Sequence, residues 1–317
     1  MYAYRIQSVT TLAALSDLFS GDLQTEERWL LLGVEWHSRE PRLRVGKASL
    51  AQSQLVTADV VPNVARASAR VCCGWYDVSK PDLHVTCDAW RPARTGQCEQ
   101  CARREGFRSV HLATELSKDI SHHVQRYLSQ PHLLYIATFP GGTTKVGTVA
   151  AERVPARLDE QGPVAAAYVA EASDGFVVRR AEAELASALS LPKVVRTARK
   201  IAGLRESVKP NASRKILAEL LDNSAALLQR TVEAAGAVHI NPPRPWSVPA
   251  STAAAFDETP VQLATGQFSG RVAGLAGSLV ISRPVAGKPA RCIDVGALRG
   301  RPLLDRPEEV DVRQTLF

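Results

Sequence analysis

The sequence predicts an α+β fold built from three parts, and three observations support this prediction. Short alternating apolar segments precede a group of cysteines in residues 1–112. Two strand-like runs followed by helical spacing occupy residues 113–235, and Gly-rich turns separate short strand-like runs in residues 236–317. Alternation predicts strands, whereas a 3.6-residue period predicts helices. We therefore expect a β-rich region with a metal site, a small mixed sheet flanked by helices, and a small closing β-module.

In the first part, the segments RWLLLGVEW and PRLRVGKASL predict strands separated by polar turns. Five of the six cysteines follow within residues 71–112. The pair Cys98 and Cys101 has the two-residue spacing of half a tetrahedral zinc site. Cys87 and one of the adjacent Cys72 and Cys73 would complete the set, and the sequence leaves that choice open. Closure by four thiolates predicts a structural zinc site, with reduced buried thiols or a redox pair as the alternative.

Two histidines are reserve ligands for this site, His84 and His111. The sixth cysteine, Cys292, is isolated in a strand-like run, so we expect it to lie in the core.

In the second part, residues 114–130 predict a helix that ends before Pro131. The runs LLYIA and KVG then predict two strands joined by the turn Gly141-Gly142. We expect one helix to begin near Glu152 and to place Arg153 and Arg157 on the same face.

Further along, DGFVVRRAEAELASALS predicts a helix with Glu182 near its middle. Residues 193–235 predict two more helices, and the proline-rich segment 238–262 predicts a surface connector. The runs QFSGRVAGLAGSLVIS and ARCIDVGAL predict the strands of the closing β-module.

The composition favours an acidic partner. The 317 residues carry a formal net charge of +7, with a pI of about 9.2, which attracts anions. Most of the 39 basic residues are arginine beside abundant alanine and valine, a skew that base composition of the genome also explains. No apolar run reaches the roughly 18–20 residues that span a bilayer, and no signal peptide is evident. We expect no membrane partner and a cytoplasmic location.

Residues 133–189 resemble the GIY-YIG nuclease superfamily. Leu133-Leu134-Tyr135 stands where that family has Gly-Ile-Tyr, and Lys145-Val146-Gly147 stands where it has Tyr-Ile-Gly. Arg157 stands at the position of the helix arginine and Glu182 at that of the glutamate. The chain looks most like a divergent branch, an uncharacterised bacterial family that adds a cysteine cluster before this core and a small β-module after it.

The resemblance implies roles for four residues. Tyr135 would position the attacking water, Arg157 would contact the phosphate, and Glu182 would hold Mg²⁺ or Mn²⁺, with Glu184 as the alternative carboxylate. Lys145 replaces the second tyrosine of the family and would hold a phosphate or act as a base. A metal and an arginine stabilise the charge that develops on phosphoryl oxygens.

A basic segment follows the site. Lys193, Arg196 and Lys200 are predicted to share one helical face, with Arg199 beside them, and together with Arg153 they predict a track for nucleic-acid phosphates. A solvated helix face is the alternative.

The C-terminal VDVRQTLF resembles sliding-clamp-binding peptides, but Gln314 is one residue too close to Leu316-Phe317. We expect a frayed or docked tail and no clamp partner.

The sequence thus predicts a metal-dependent phosphodiesterase or nuclease-like protein that acts on DNA or RNA. A non-catalytic zinc-containing adaptor that binds nucleic acid or another acidic ligand is the first alternative. Recruitment of the same fold to small-molecule chemistry is the second. The sequence does not indicate an oligomeric state.

Overall fold

A computed structural model describes most of the chain. The described residues are 28–47, 53–65, 69–78, 80–94, 96–105, 110, 120–206, 210–258, 261–263, 270–283 and 288–304. The mixed α+β class is confirmed, with a cysteine cluster in the N-terminal part and a β-module at the C-terminal end. His111 and the clamp-like tail with Gln314 and Leu316-Phe317 lie outside the described residues.

The two N-terminal segments form strands, as predicted, and a third strand follows them. These are β1 (Leu30–His37), β2 (Glu40–Gly46) and β3 (Gln54–Thr57), which pair antiparallel in the order β1-β2-β3. A short strand near the end of the chain, numbered β14 by chain order (Arg301–Pro302), pairs antiparallel with β1. The first and last parts of the chain therefore meet in one sheet.

A short hairpin and helix carry the cysteines. The hairpin consists of β4 (Trp75–Asp77) and β5 (Lys80–Val85), and helix α1 spans Glu99–Glu105. Before the central sheet, the described part of the predicted helix 114–130 is α2 (His122–Leu128), which Ser121 caps by accepting from the Val124 N–H. Residues 111–119 lie outside the described chain.

A four-stranded sheet forms the centre of the molecule. Its strands are β6 (His132–Thr138), β7 (Thr144–Ala150), β8 (Ala165–Ala172) and β9 (Val238–Pro245), in the order β7-β6-β8-β9. All three pairings are antiparallel, so the sheet is not the mixed one that was predicted. The tight turn at Gly141 makes β6 and β7 a hairpin, and the left-handed φ of +79° at this residue suits glycine.

Helices cover one face of this sheet. They are α4 (Gly175–Ala188), which Asp174 caps, and α6 (Pro210–Ala234). Buried apolar residues from both helices and the sheet form one cluster that includes Ile136, Val146, Val178, Leu185 and Leu228. The opposite face carries Leu133, Tyr135, Tyr168, Leu158 and Trp246. The period-2 alternation of β6 thus supplies a core on both faces.

Two predictions for this region were wrong. The helix expected from Glu152 is split into a 3₁₀ turn, Ala151–Arg153, and the short helix α3 (Ala156–Asp159), because Pro155 has no N–H and disfavours helix at the residue before it. The shared helical face of Lys193, Arg196 and Lys200 does not form, because helix α5 begins only at Thr197 (Thr197–Arg205).

The proline-rich segment 238–262 is also not a simple connector. It contributes the edge strand β9, helix α7 (Ala250–Asp257) and the start of β10 (Val261–Leu263). Proline is tolerated at a sheet edge because its missing N–H faces away from the ladder.

The closing β-module forms as predicted. Strands β11 (Val272–Ala276), β12 (Leu279–Ser282) and β13 (Ala290–Asp294) join β10 in the order β10-β13-β12-β11, and Cys292 is buried in β13. The boundaries at residues 112/113 and 235/236 stay predictions. One hydrophobic core joins the N- and C-terminal strands and includes Leu31, Leu43, Val56, Val280 and Ile293.

A buried polar network ties the cysteine hairpin to this core. Arg44 donates to both carboxylate oxygens of Glu35, and the Tyr76 hydroxyl donates to one of them. The network continues through Ser53, whose hydroxyl lies 2.9 Å from Nδ1 of His84. Burial, followed by the charge of Arg44, lowers the pKa of His84 to about 4, so the imidazole is neutral.

Candidate functional site

Four cysteine sulfurs come together beside the β4–β5 hairpin and helix α1. The Sγ atoms of Cys72, Cys87, Cys98 and Cys101 all lie within 4.8 Å of one another, and all four residues are buried. Those of Cys87 and Cys98 are 4.0 Å apart. Four thiolates at about 2.3 Å from a tetrahedral zinc ion would be about 3.8 Å apart, so a small contraction suits the ion. The cluster has the geometry to hold one metal ion such as zinc, with no open position for catalysis.

The structure distinguishes the two adjacent cysteines. The Cys72 sulfur accepts hydrogen bonds from the backbone N–H groups of Gly74 and Cys98, at 3.4 and 3.1 Å. Cys73 instead packs against Leu30 and Leu32. Cys72 is therefore the residue that completes the cluster, and Cys73 is not.

His84 is not a ligand in this arrangement. Its Nε2 lies 2.7 Å from the Cys73 carbonyl oxygen, which can only accept, so Nε2 carries the proton. Its Nδ1 faces Ser53. Both ring nitrogens are therefore engaged away from the sulfurs.

A second group of chemically active residues lies at the β6–β7 hairpin. The ring of Tyr135 in β6 reaches across β7 at Gly147, where an added Cβ atom would lie 2.5 Å from the hydroxyl oxygen. Lys145 is two residues earlier on β7 and so shares this face. Its Nζ is 5.4 Å from the centre of the Tyr135 ring. Tyr135 is 1% and Lys145 8% exposed, so the hairpin brings the predicted phenol and amine together and packs both closely.

Gln161, which follows helix α3, contacts three of the predicted residues. Its side-chain Nε2 donates to the Tyr135 hydroxyl oxygen at 2.6 Å and to the Arg157 carbonyl oxygen at 3.2 Å. Its own carbonyl accepts from Lys200 Nζ at 2.7 Å. No sequence pattern identified Gln161, because its partners are 26 and 39 residues away.

The two arginines near α3 share one acidic partner. Arg153 donates to Glu160 in a close ion pair, and Arg157 lies 3.7 Å from the other carboxylate oxygen of Glu160. The Arg157 side chain is 41% exposed against 19% for Arg153. Arg157 is therefore the more available of the two for a ligand.

Glu182 lies in α4 among several cations. Burial raises the pKa of its carboxyl, while the positive charges of Lys193, Lys145, Arg179 and Arg157 act in the opposite direction. Across the part of the chain that the structure describes, the Glu182 carboxylate has no hydrogen-bond or ion-pair partner.

The sequence left open whether Glu182 or Glu184 is the relevant carboxylate and whether Glu182 pairs with Arg179. Glu184, the alternative, is exposed to solvent, so Glu182 is the carboxylate that belongs to this group. The ordinary ion pair between Arg179 and Glu182 does not form within 4 Å in the described chain.

Helix α5 brings further cations to the hairpin turn. Lys200 Nζ lies 4.5 Å from the centre of the Phe139 ring, and Arg199 Nε donates to the Thr143 hydroxyl at 3.1 Å. Burial, assisted by the charges of Lys145 and Arg157, lowers the pKa of Lys200 to about 8. Lys200 is thus a lysine that titrates near physiological pH.

The predicted basic residues do not all join this group. Lys193 acts on Glu182 from the segment before α5. Arg196 is exposed at the N-cap of α5, and Arg153 is held by Glu160. We call Lys145, Arg157, Arg179, Lys193 and Lys200 the basic cluster.

Two residues near this group, Arg179 and Tyr127, were not predicted from the sequence. Nε of Arg179 is buried without a hydrogen-bond partner in the described chain. Burial raises the pKa of the half-buried Tyr127 of α2, and the positive charges of Arg153, Arg157 and Arg179 act in the opposite direction. The i, i+3 spacing of Arg179 and Glu182 was the available signal, but it suggested an ion pair.

These features define an α+β protein that combines a four-cysteine cluster able to hold a metal ion with a separate basic cluster around one carboxylate. The chain belongs to the DUF2797 family. The model of that family, described as a protein of unknown function, matches residues 87–286. The match includes the whole basic cluster and three of the four clustered cysteines, and it begins after Cys72.

Comparisons with curated proteins and with solved structures gave no match. Among the described residues, no helix combines the length and the apolar character needed to cross a membrane.

Proposed function

We propose that the protein binds the phosphodiester backbone of nucleic acid at the basic cluster and hydrolyses it with the help of a divalent cation held by Glu182. The observation that supports this most is the half-buried Glu182 carboxylate, which is surrounded by four cations and pairs with none of them in the described chain. A half-buried carboxylate without a protein partner is open to a ligand, an ion or water.

The charges of the cluster favour a phosphate as that ligand. Lys145 is buried without an ion pair in the described residues, and Nε of Arg179 has no hydrogen bond there. A phosphodiester would supply a negative charge for Lys145 and an acceptor oxygen for Arg179. Arginine and lysine bound to phosphoryl oxygens would also stabilise the charge that develops during hydrolysis.

A divalent cation would reach Glu182 together with the phosphate. Four cations against one carboxylate repel Mg²⁺ or Mn²⁺, and a bound phosphate removes part of that repulsion. When bound, the ion would act as a Lewis acid on a phosphoryl oxygen and lower the pKa of its water ligand. The resemblance to GIY-YIG nucleases supports a metal-holding role for Glu182 and a phosphate contact for Arg157.

Zinc is the metal that we propose for the cysteine cluster, in a structural role. A cytoplasmic location is part of the same proposal, because reducing compartments keep clustered thiols free to bind metal.

One observation favours a second function, a nucleic-acid-binding adaptor without catalysis. The Tyr135 side chain is 1% exposed, and its oxygen already accepts a hydrogen bond from Gln161. A phenol in this state does not contact bulk water, so it would not position an attacking water unless the ligand rearranged the site.

One experiment separates the two functions. Labelled single- and double-stranded DNA and RNA are incubated with the wild type, Glu182→Gln and Lys145→Met, with Mg²⁺, Mn²⁺ or chelator. Glu184→Gln is the matched control, because Glu184 lies two residues away on the same helix and is exposed.

Cleavage that needs the metal and is lost in Glu182→Gln but kept in Glu184→Gln supports the enzyme. Binding without cleavage, which weakens in Lys145→Met and persists in Glu182→Gln, supports the adaptor. Absence of both binding and cleavage in the wild type would reject both functions.

A further inference from the structure

Gln161 connects Tyr135 to two residues of the basic cluster, Arg157 and Lys200. Its amide nitrogen contacts the Tyr135 hydroxyl of β6 at 2.6 Å and the Arg157 carbonyl of α3 at 3.2 Å. Its carbonyl oxygen receives the ammonium of Lys200 from α5 at 2.7 Å. Gln161 therefore forms hydrogen bonds with strand β6, with helix α3 and with Lys200 of helix α5.

The direction of these hydrogen bonds is fixed by their chemistry. A backbone carbonyl such as that of Arg157 only accepts, so the amide nitrogen of Gln161 must face it. The same nitrogen then donates its other hydrogen to the Tyr135 oxygen. A phenol whose oxygen accepts still has its own proton to donate elsewhere.

The proton of Tyr135 has no acceptor among the residues that the structure describes. The Lys145 ammonium lies over the same ring, 5.4 Å from its centre. A phosphate oxygen held by that ammonium would be beside the phenol and would offer an acceptor for its proton.

We propose that Gln161 is a positioning residue: its donation to Tyr135 makes the phenol a hydrogen-bond donor to a phosphoryl oxygen bound at Lys145, an inference that rests on the proposed function. In this role Tyr135, whose side chain is 1% exposed without a ligand, contacts the phosphate after the ligand rearranges the packing around it, and it does not activate water. Gln161 acts through Tyr135 and does not touch the ligand.

The test is a double-mutant cycle on single-stranded oligonucleotide affinity with Gln161→Met, Tyr135→Phe and the double variant. Methionine keeps the length of glutamine and removes the hydrogen bonds. The main-chain bond from Gln161 to Lys200 survives the substitution, so an unchanged acetylation rate at Lys200 shows that the local backbone is intact. Gln229→Met, at an exposed helix position, is the matched control.

We expect each single variant to bind about tenfold more weakly, as for loss of one hydrogen bond to a charged group, and the double variant to bind no more weakly than either. Non-additivity of this kind identifies residues that act as a unit. Losses that multiply to about a hundredfold, or wild-type affinity in Gln161→Met, would overturn the proposal.

A second readout separates this proposal from the proposed function. The chain has six tyrosines, and ¹³C labelling at Cζ with Tyr135→Phe for assignment isolates the Tyr135 signal. We expect Gln161→Met, but not Gln229→Met, to move it. If the wild type binds no oligonucleotide, the proposed function is rejected. The NMR signal then tests the hydrogen bond from Gln161 to Tyr135 separately. A chemical shift that moves in Gln161→Met supports that contact, and one that does not move rejects it.

Discussion

The hydroxyl of Tyr135 occupies the space that a side chain at Gly147 would fill, with only 2.5 Å between the oxygen and an added Cβ atom. The backbone of Gly147 is not in the left-handed region. Glycine is therefore required at this position because the Tyr135 side chain leaves no room for a Cβ atom, and not because of the backbone conformation. The phenol thereby passes the edge strand and reaches Gln161 beyond it.

Gly147→Ala should therefore destabilise the protein by about 1–3 kcal/mol, the usual cost of overpacking a close-packed site. Urea unfolding would measure the change. In a Tyr135→Leu background the far end of the ring is gone, and the same alanine should cost less than about 0.5 kcal/mol. Equal costs in the two backgrounds would show that the Tyr135 ring is not what excludes a side chain at residue 147.

The assignment of Cys72 in place of Cys73 predicts different metal contents for two adjacent substitutions. Cys72→Ser should reduce bound zinc from about one equivalent to none and lower the unfolding temperature, because the core around the cluster contains few other residues. Cys73→Ser should keep the zinc, since that sulfur packs against leucines. Elemental analysis of purified protein measures both, and loss of zinc from Cys73→Ser alone would reverse the assignment.

The turn between β1 and β2 is attached to helix α3 by a buried carboxylate. Asp159 is 1% exposed at its side chain and accepts from Arg39 at 2.8 Å and from Trp246 Nε1 at 2.9 Å. Arg39→Ala should cost about 1–3 kcal/mol, because it leaves this acceptor with an unmet charge. The change should also alter Trp246 fluorescence.

Arg42→Ala, which breaks a pair with the exposed Glu40, is the control and should cost less than about 1 kcal/mol. If the two arginine variants unfold at the same urea concentration, the contact with Asp159 does not stabilise the fold.

Features that depend on neighbouring residues were predictable from the sequence. The Gly141-Gly142 turn and the helical period of α4 are local signals, and both appear in the structure. The cysteine spacing likewise predicted the cluster. The chemistry of backbone conformation and metal geometry is sufficient for such features.

Features that depend on distant partners were not predictable. The edge strand β9 reads as a proline-rich connector until β8 supplies its hydrogen-bonding partner. The choice between Cys72 and Cys73 depends on Leu30 and Leu32, about forty residues earlier. Gln161 carries no signal of its own, because its importance comes from contacts with Tyr135 and Lys200 in other elements.

Lys200 predicts a pH dependence of binding. Its pKa is lowered to about 8 by burial and by the nearby charges of Lys145 and Arg157. The protonated amine attracts phosphate, so oligonucleotide affinity should fall as the pH rises from about 7 to about 9. Lys200→Met should bind more weakly at pH 7 and lose most of this slope, whereas Lys215→Met, an exposed lysine on α6, should keep it.

The same lowered pKa predicts the sign of a stability change. The unfolded chain holds the Lys200 proton up to the ordinary pKa of 10.5, whereas the folded chain releases it at about 8. Between these values the unfolded state binds more protons, so the free energy of unfolding of the wild type should rise with pH relative to Lys200→Met, and below pH 8 the difference should be constant. Urea unfolding from pH 7 to pH 10 measures this difference, and parallel curves for the two proteins would show that Lys200 keeps an ordinary pKa in the fold.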